Sequence, residues 1–310
     1  MKVENQQKVL ENRICYRMTS VREFLIICGG YDYISGAANN ALFSYNTIRG
    51  VWKRYPLPIK LENISRYPKI CSFGNKVYMC GVDSPYVIDP KIYYLVSFNV
   101  TDSTWQILYL HDVDHACNEP PPMRVNLLFY HNESLYVLGM NRDNQNSEDD
   151  DRNIIYKFCL QTLTWSVVQQ IGATPIFYDE IYGKVFNNRL YIFDSNTYST
   201  TSFREVMIFD FSTNIWTKSH THSKNNEYPH GRFRESYAFS SDSAYMSGGI
   251  TPNITSNGTT CYSDIWRIDL ETLEFFKLNY DGMNIACQLS VISIFTVLEC
   301  VSTTTDIVIF

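Results

Sequence analysis

The apolar residues of this chain gather in short runs set apart by polar stretches. Five of the runs end in a glycine pair or its remnant: FLIICGG at 24–30, VYMCGV at 77–82, LYVLGM at 135–140, LYIFDS at 190–195 and AYMSGG at 244–249. A polar stretch follows each, then a second apolar run that closes on Asn, Asp or Cys: LFSYN at 42–46, LVSFN at 95–99, IYKFC at 155–159, VMIFD at 206–210 and IWRID at 265–269. A large aromatic comes next, at Trp52, Trp105, Trp165, Trp216 and Phe276, in steps of 53, 60, 51 and 60 residues. Runs this short, rich in aromatic and β-branched side chains and bounded by turn residues, predict strands.

Each unit holds about four strands, a to d in chain order, and a four-stranded sheet repeated about every fifty residues is a propeller blade. Strand b ends at the glycines, strand c at the Asn, Asp or Cys, and strand d carries the aromatic. The glycines are expected to supply positive φ or a close backbone approach. The aromatics are expected to fill the space between neighbouring sheets. After Phe276 the runs CQLSVIS, TVLECVS and DIVIF read as strands a, b and c of a further blade that has no strand d. Residues 7–10 lie ahead of the first unit, where an N-terminal strand would complete that blade. The prediction is an all-β propeller of six blades, the last incomplete or completed by the N-terminus, forming a single domain over residues 1–310.

These units resemble the kelch repeat. Units one and five keep Gly-Gly, whereas units two, three and four carry Gly81-Val82, Gly139-Met140 and Asp194-Ser195. The likeness is strongest in ICGGYDYISGAANNALFSYNTIRGVWKRY, in RVNLLFYHNESLYVLG, and in YPHGRFRESYAFSSDSAYMSGG with its continuation YSDIWRIDLETLEFFKL. Strand a of the family often carries a His where Tyr16 and Glu235 stand here. The resemblance implies a non-catalytic protein-binding propeller, similar to substrate receptors of cullin-RING ubiquitin ligases that capture C-terminal tails. The ligase-binding helix of such receptors follows the last blade, and this chain stops at Phe310 with no such helix. The resemblance therefore bears on tail binding more directly than on a ligase adaptor.

Composition narrows the alternatives. Charged residues make up 19% and hydrophobic residues 45%, a globular balance, and the net charge of −6 disfavours general binding to nucleic acid. Nine cysteines occur without a C-x-x-C, so neither a zinc site nor a disulfide framework is expected. Several sit in apolar runs, including Cys28, Cys80 and Cys300, and read as reduced core thiols. The apolar stretch 285–301 is interrupted by Gln288 and Glu299 and reads as two strands rather than a membrane span. The polar N-terminus has no signal core. A cytoplasmic protein is expected, with the nucleus also open and no membrane partner, and the N-x-S/T sequons at Asn63, Asn99, Asn132, Asn253 and Asn257 read as incidental.

No phosphate loop, dinucleotide fingerprint, H-E-x-x-H or G-x-S-x-G occurs. The histidines of HDVDH (His111, His115) and HTH (His220, His222) read as loop histidines, and the acidic run 148–151 lacks the spacing of a calcium loop. No cofactor and no metal are expected. The competing reading is a propeller enzyme of the oxidase or sugar-processing type, which a stoichiometric bound metal would favour.

Alternating strands send the b–c and d–a loops to the same face. The b–c loops are long, at 31–41, 83–91, 141–153, 196–204 and 250–262, and the d–a loops contain Pro56, Pro58, Pro120, Pro121, Pro122 and Pro229. Irregular loops collected on a rigid scaffold are the usual place for binding, so a protein partner or peptide tail is expected there. Arg66, Arg124, Arg232 and Arg234 lie where d–a loops enter strand a, and a guanidinium fork suits a carboxylate. Pairing with a local carboxylate, or plain solvation, is the alternative for each.

Overall fold

A computed structural model describes residues 13–32, 34–37, 41–61, 68–82, 91–111, 119–141, 153–172, 174–177, 181–193, 203–253 and 258–279. The strands form five antiparallel sheets, each in the order a, b, c, d. Blade one is β1 (Arg13–Val21), β2 (Phe24–Asp32), β3 (Ala41–Asn46) and β4 (Val51–Pro56). Blade two is β5 (Lys69–Phe73), β6 (Lys76–Val82), β7 (Ile92–Asn99) and β8 (Thr104–Leu110). Blade three is β9 (Met123–His131), β10 (Ser134–Asn141), β11 (Asn153–Cys159) and β12 (Thr164–Val168). Blade four is β13 (Tyr182–Phe186), β14 (Arg189–Phe193), β15 (Glu205–Asp210) and β16 (Ile215–His220). Blade five is β17 (Phe233–Phe239), β18 (Ser243–Asn253), β20 (Ile265–Asp269) and β21 (Phe275–Leu278), with β19 (Gly258–Cys261) paired to the end of β18.

Among the described residues five blades stand, where the sequence predicts six. The expected sixth blade and the expected N-terminal strand fall on residues outside the described set. The run TVLECVS, expected there as strand b, has no glycine at its end. The chain divides into two compact units, Met1–Gln170 with Ile176–Tyr178, and Ile171–Pro175 with Asp179–Phe310. Blades one to three lie in the first and blades four and five in the second.

Strand b reads as a continuous apolar run because it is covered on both faces. In β6, six of seven residues are buried. Strand d is far more exposed: β4 is half-buried only at Trp52 and Tyr55. In the first unit, one apolar layer joins Ile26 and Leu42 of blade one to Val77, Met79 and Val96 of blade two, and another joins Cys80 and Leu95 to Leu128, Val137 and Phe158 of blade three. In the second unit, Tyr191, Val206 and Ile208 pack with Met246, Trp266 and Ile268.

The c–d hairpins repeat one register. An aromatic near the end of strand c faces the strand-d aromatic seven residues later: Tyr45 and Trp52, Phe98 and Trp105, Phe158 and Trp165, Phe209 and Trp216. Their ring centroids lie 4.8, 4.8, 5.0 and 5.1 Å apart. In blade five the same register pairs Ile268 with Phe275, so the blade aromatic is Phe275, which is buried, rather than the half-buried Phe276 expected from spacing. The next residue of strand c closes the turn. Asn46, Asn99, Asp210 and Asp269 each accept backbone N–H groups two or three residues on through a side-chain oxygen. Cys159 takes that place in blade three, and bonds from Thr162 and Gln161 draw its thiol below its ordinary pKa. The turn ends on a residue of positive φ: Gly50, Ser103, Leu163, Asn214 or Leu273. The residue after each turn-closing side chain then donates its N–H to the neighbouring a–b turn, as Thr47 does to Glu23 and Val100 to Asn75.

Glycine ends strand b for two different reasons. In the intact pairs the backbone is left-handed, with φ of 69° and 78° at Gly29 and Gly30 and of 71° and 94° at Gly248 and Gly249. Gly81 and Gly139 have no such φ; a side chain there would enter the Tyr94 ring or meet Met123 Cε at 2.7 Å. Tyr16 and Glu235 lie opposite the first glycine of each intact pair.

Candidate binding face

Because the a–b and c–d turns are tied together, each blade has one end built from tight, capped turns. The b–c and d–a connections leave from the other end, as the loop lengths predict. Their described parts are structured by local bonds. Asp32 Oδ1 accepts from the backbone N–H of Ile34 and Ser35, at 3.1 and 2.7 Å. After β8, His111 Nδ1 lies 2.7 Å from Glu119 Oε2, both largely covered. Burial, then the bond and charge of Glu119, push the Tyr109 phenol well above its ordinary pKa. In blade five the b–c connection departs from a plain loop. Thr251, Thr259 and Thr260 favour extended backbone, and β18 runs on to pair with β19 as a two-stranded extension. Thr251 Oγ1 anchors it by donating to Gly231 O at 2.6 Å.

The four arginines of the sequence reading have separate fates. Arg66 lies outside the described residues. Arg124 opens β9 opposite Met140 and is half-buried. Arg234 lies within β17, and its side chain is outside the described set. Arg232 is fully buried at the entrance to β17. Its guanidinium meets Asp264 with both nitrogens, Nη1 to Oδ1 at 2.5 Å and Nη2 to Oδ2 at 3.1 Å. Nη1 also donates to Gly248 O and Nε to His230 O, each at 2.9 Å. Tyr262 lies over the fork, 3.9 Å from Cζ to ring centroid. Asp264 is therefore the local carboxylate for Arg232, and it also accepts the Trp266 indole N–H at 2.7 Å. Burial alone would raise the pKa of Asp264; the bonds from Arg232 and Trp266 and the charges of Arg232 and Lys277 outweigh it and hold the carboxyl low.

Sequence reasoning passed over Arg204 and Tyr228. Arg204 Cζ lies 3.8 Å from the centroid of the Tyr228 ring, where the b–c connection of blade four meets the d–a connection leading to blade five. No periodic signal marks the pair, because loop residues follow no strand register. His230 likewise stacks on Tyr262, with centroids 5.9 Å apart.

The remaining candidate chemistry is sparse. His220 is exposed and lies 3.7 Å from Glu205, His222 is exposed, and His115 and the acidic run 148–151 are outside the described residues. Among the described residues no three His, Cys, Asp or Glu side chains gather as a metal-binding group. Cys28 and Cys80 are buried, and burial pushes the Cys80 thiol up to about 12, which leaves it a poor nucleophile. Cys261 is exposed on β19, unlike the core thiols expected. No helix among the described residues is long and apolar enough to cross a membrane.

The sequence profile of the KLHDC2/KLHL20/DRC7 kelch-repeats domain matches residues 128–295, more than half of the chain. Comparison with curated proteins returns no match.

Proposed function

The chain belongs to the KLHDC2/KLHL20/DRC7-type kelch-repeat family, and from that premise we propose that it is a non-catalytic protein-binding propeller whose partner docks on the b–c and d–a loop face. The observation that carries this reading is the asymmetry of the blades: one end is closed by short, mutually bonded turns, and the other carries long connections whose described parts expose polar and charged groups such as Lys60, Lys91, Arg204 and Lys224. The unit order resembles that of kelch domain-containing protein 10, and the finer proposal is a cytoplasmic substrate receptor of a cullin-RING ligase that captures C-terminal tails. Arg66, Arg124 and Arg234 are the proposed tail contacts. Arg232 contributes indirectly, by holding the entrance of β17 against Asp264.

Affinity capture from lysate, scored by mass spectrometry for cullin and adaptor subunits and for substrates, tests the ligase role. The recovered substrate's tail peptide should bind more tightly with a free carboxylate than as its C-terminal amide, and Arg124→Ala with Arg234→Ala should weaken it. Equal affinity for acid and amide would remove the tail-capture proposal while leaving protein binding in place.

A further inference from the structure

One strand of the second unit leaves an edge open. In blade five β18 runs past β20 to pair with β19, and all four residues of β19 are exposed. Two marks fix the phase of that ladder. Tyr262 donates its N–H to Gly249 O at 3.0 Å, and Pro252, which has no N–H to give, stands opposite Thr259. Bonded and non-bonded pairs alternate in an antiparallel ladder, so Thr251 and Thr260 bond each other, and Thr259 and Cys261 turn their N–H and C=O groups away from β18. Among the described residues no strand pairs with that side of β19, and no group accepts those two N–H groups. Thr259 O has there only the weak contact of the Cys261 thiol at 4.0 Å.

Folded proteins guard such edges with cover, charge or proline. The outer edges in this unit are covered, β16 by Ile171 bridged to Ile215 and β21 by His222 bridged to Glu274. The β18 side of the ribbon has Pro252, and Thr251 Oγ1 ties it to Gly231 O at 2.6 Å. The β19 side has none of these devices. Its sequence, Gly258-Thr259-Thr260-Cys261, contains no proline, and no charged residue occurs in 243–263 although 19% of the chain is charged. A charged edge repels its own copy, and this one carries nothing to do so. An antiparallel edge is also its own complement. A two-fold axis at Thr260 sets that residue against Thr260 of a second copy, and joins Thr259 and Cys261 of each chain to Cys261 and Thr259 of the other by four backbone bonds. Thr suits an exposed strand and pairs favourably with Thr across it.

We propose that the open edge of β19 is a self-pairing site, at which two copies of this chain join through an antiparallel β19–β19 ladder. Self-pairing goes beyond the docking of a partner on the loop face and stands without it. Two four-residue strands cover far less than the ~1,000 Å² of a stable interface, so the dimer is weak and reversible. Each chain has a net charge of −6, so screening by salt favours association.

The test uses the full chain. Sedimentation equilibrium under reducing conditions, over a concentration series at low and moderate salt, should show a monomer–dimer equilibrium that salt favours. Thr260→Lys places like charges opposite each other and should weaken dimerisation about fivefold, the size of an unfavourable cross-strand pair. Mixing that variant with Thr260→Glu should restore association as a heterodimer. The melting temperature of each should hardly move, because Thr260 is exposed. In the paired state the Cα atoms of the two Thr260 residues stand about 4.5 Å apart, within disulfide reach. Thr260→Cys should therefore crosslink copy to copy under copper–phenanthroline oxidation, while Thr213→Cys, exposed on a c–d turn, should not. A chain that stays monomeric throughout, a dimer unchanged by Thr260→Lys, no recovery on mixing, or equal crosslinking of the two cysteine variants would each overturn the proposal. Crosslinking of Thr260→Cys to a captured partner and never to a second copy would assign the edge to that partner and overturn it as well.

Discussion

Substituting alanine at the two glycines that end β18 separates backbone strain from crowding. Both have left-handed backbone, with φ of 71° at Gly248 and 94° at Gly249. An L-residue in that region costs about 1–2 kcal/mol. At Gly248 nothing lies within 4 Å of the added Cβ, so strain is the whole effect. At Gly249 the Cβ would sit 2.8 Å from Arg232 Cδ, 3.1 Å from its Cγ and 3.2 Å from Glu235 Cβ. Arg232 has little room to yield, because its head is held by Asp264, Gly248 O and His230 O and covered by Tyr262. Overpacking a fixed, buried group adds about 1–3 kcal/mol. Gly249→Ala should therefore destabilise by about 2–5 kcal/mol and Gly248→Ala by about 1–2 kcal/mol. Urea denaturation of both variants beside the unaltered chain measures the difference. Equal losses, or a larger loss at Gly248, would refute the claim that the glycine pair makes room for the Arg232 clasp.

Other outcomes follow from the same contacts. Phe275→Ala should cost about 3–5 kcal/mol and Phe276→Ala clearly less in urea denaturation, since the register places Phe275 in the blade interior. The folded-state pKa of Asp264 is depressed, so its contribution is fully present above the ordinary carboxylate pKa of about 4 and is lost as pH falls through the folded value. Asp264→Asn should accordingly lower stability near neutrality and flatten its dependence on pH below about 4; an unchanged acid limb would contradict this. We expect the five blades to behave as one domain: limited proteolysis should nick the 141–153 connection first without releasing a separately stable half, and two stable halves would overturn that expectation.

The blades were legible because their periodic positions do structural work. Strand b reads as an unbroken apolar run since sheets cover both its faces, and each strand-d aromatic stands at a fixed distance from strand c since the c–d turn is the same in every blade. Spacing points to Phe276 rather than Phe275 because the distance from glycine to aromatic drifts with loop length, while the c–d register does not. The site was legible only in part. Loop lengths located the face, but the partner of Arg232 is an aspartate 32 residues away that no local pattern connects to it. Arg204 carried no signal at all, because its stacking depends on an unrelated loop bringing Tyr228 beneath it.

The central claim is that a protein partner docks on the b–c and d–a end of the blades, and crosslinking mass spectrometry on a captured complex tests it most directly. Exposed lysines report that end: Lys60 and Lys224 lie in d–a connections and Lys91 at the close of a b–c connection. Lys76, beside an a–b turn, reports the opposite end. The account predicts partner crosslinks at Lys60, Lys91 or Lys224 and none at Lys76. Crosslinks concentrated at Lys76, with the other three silent, would contradict it.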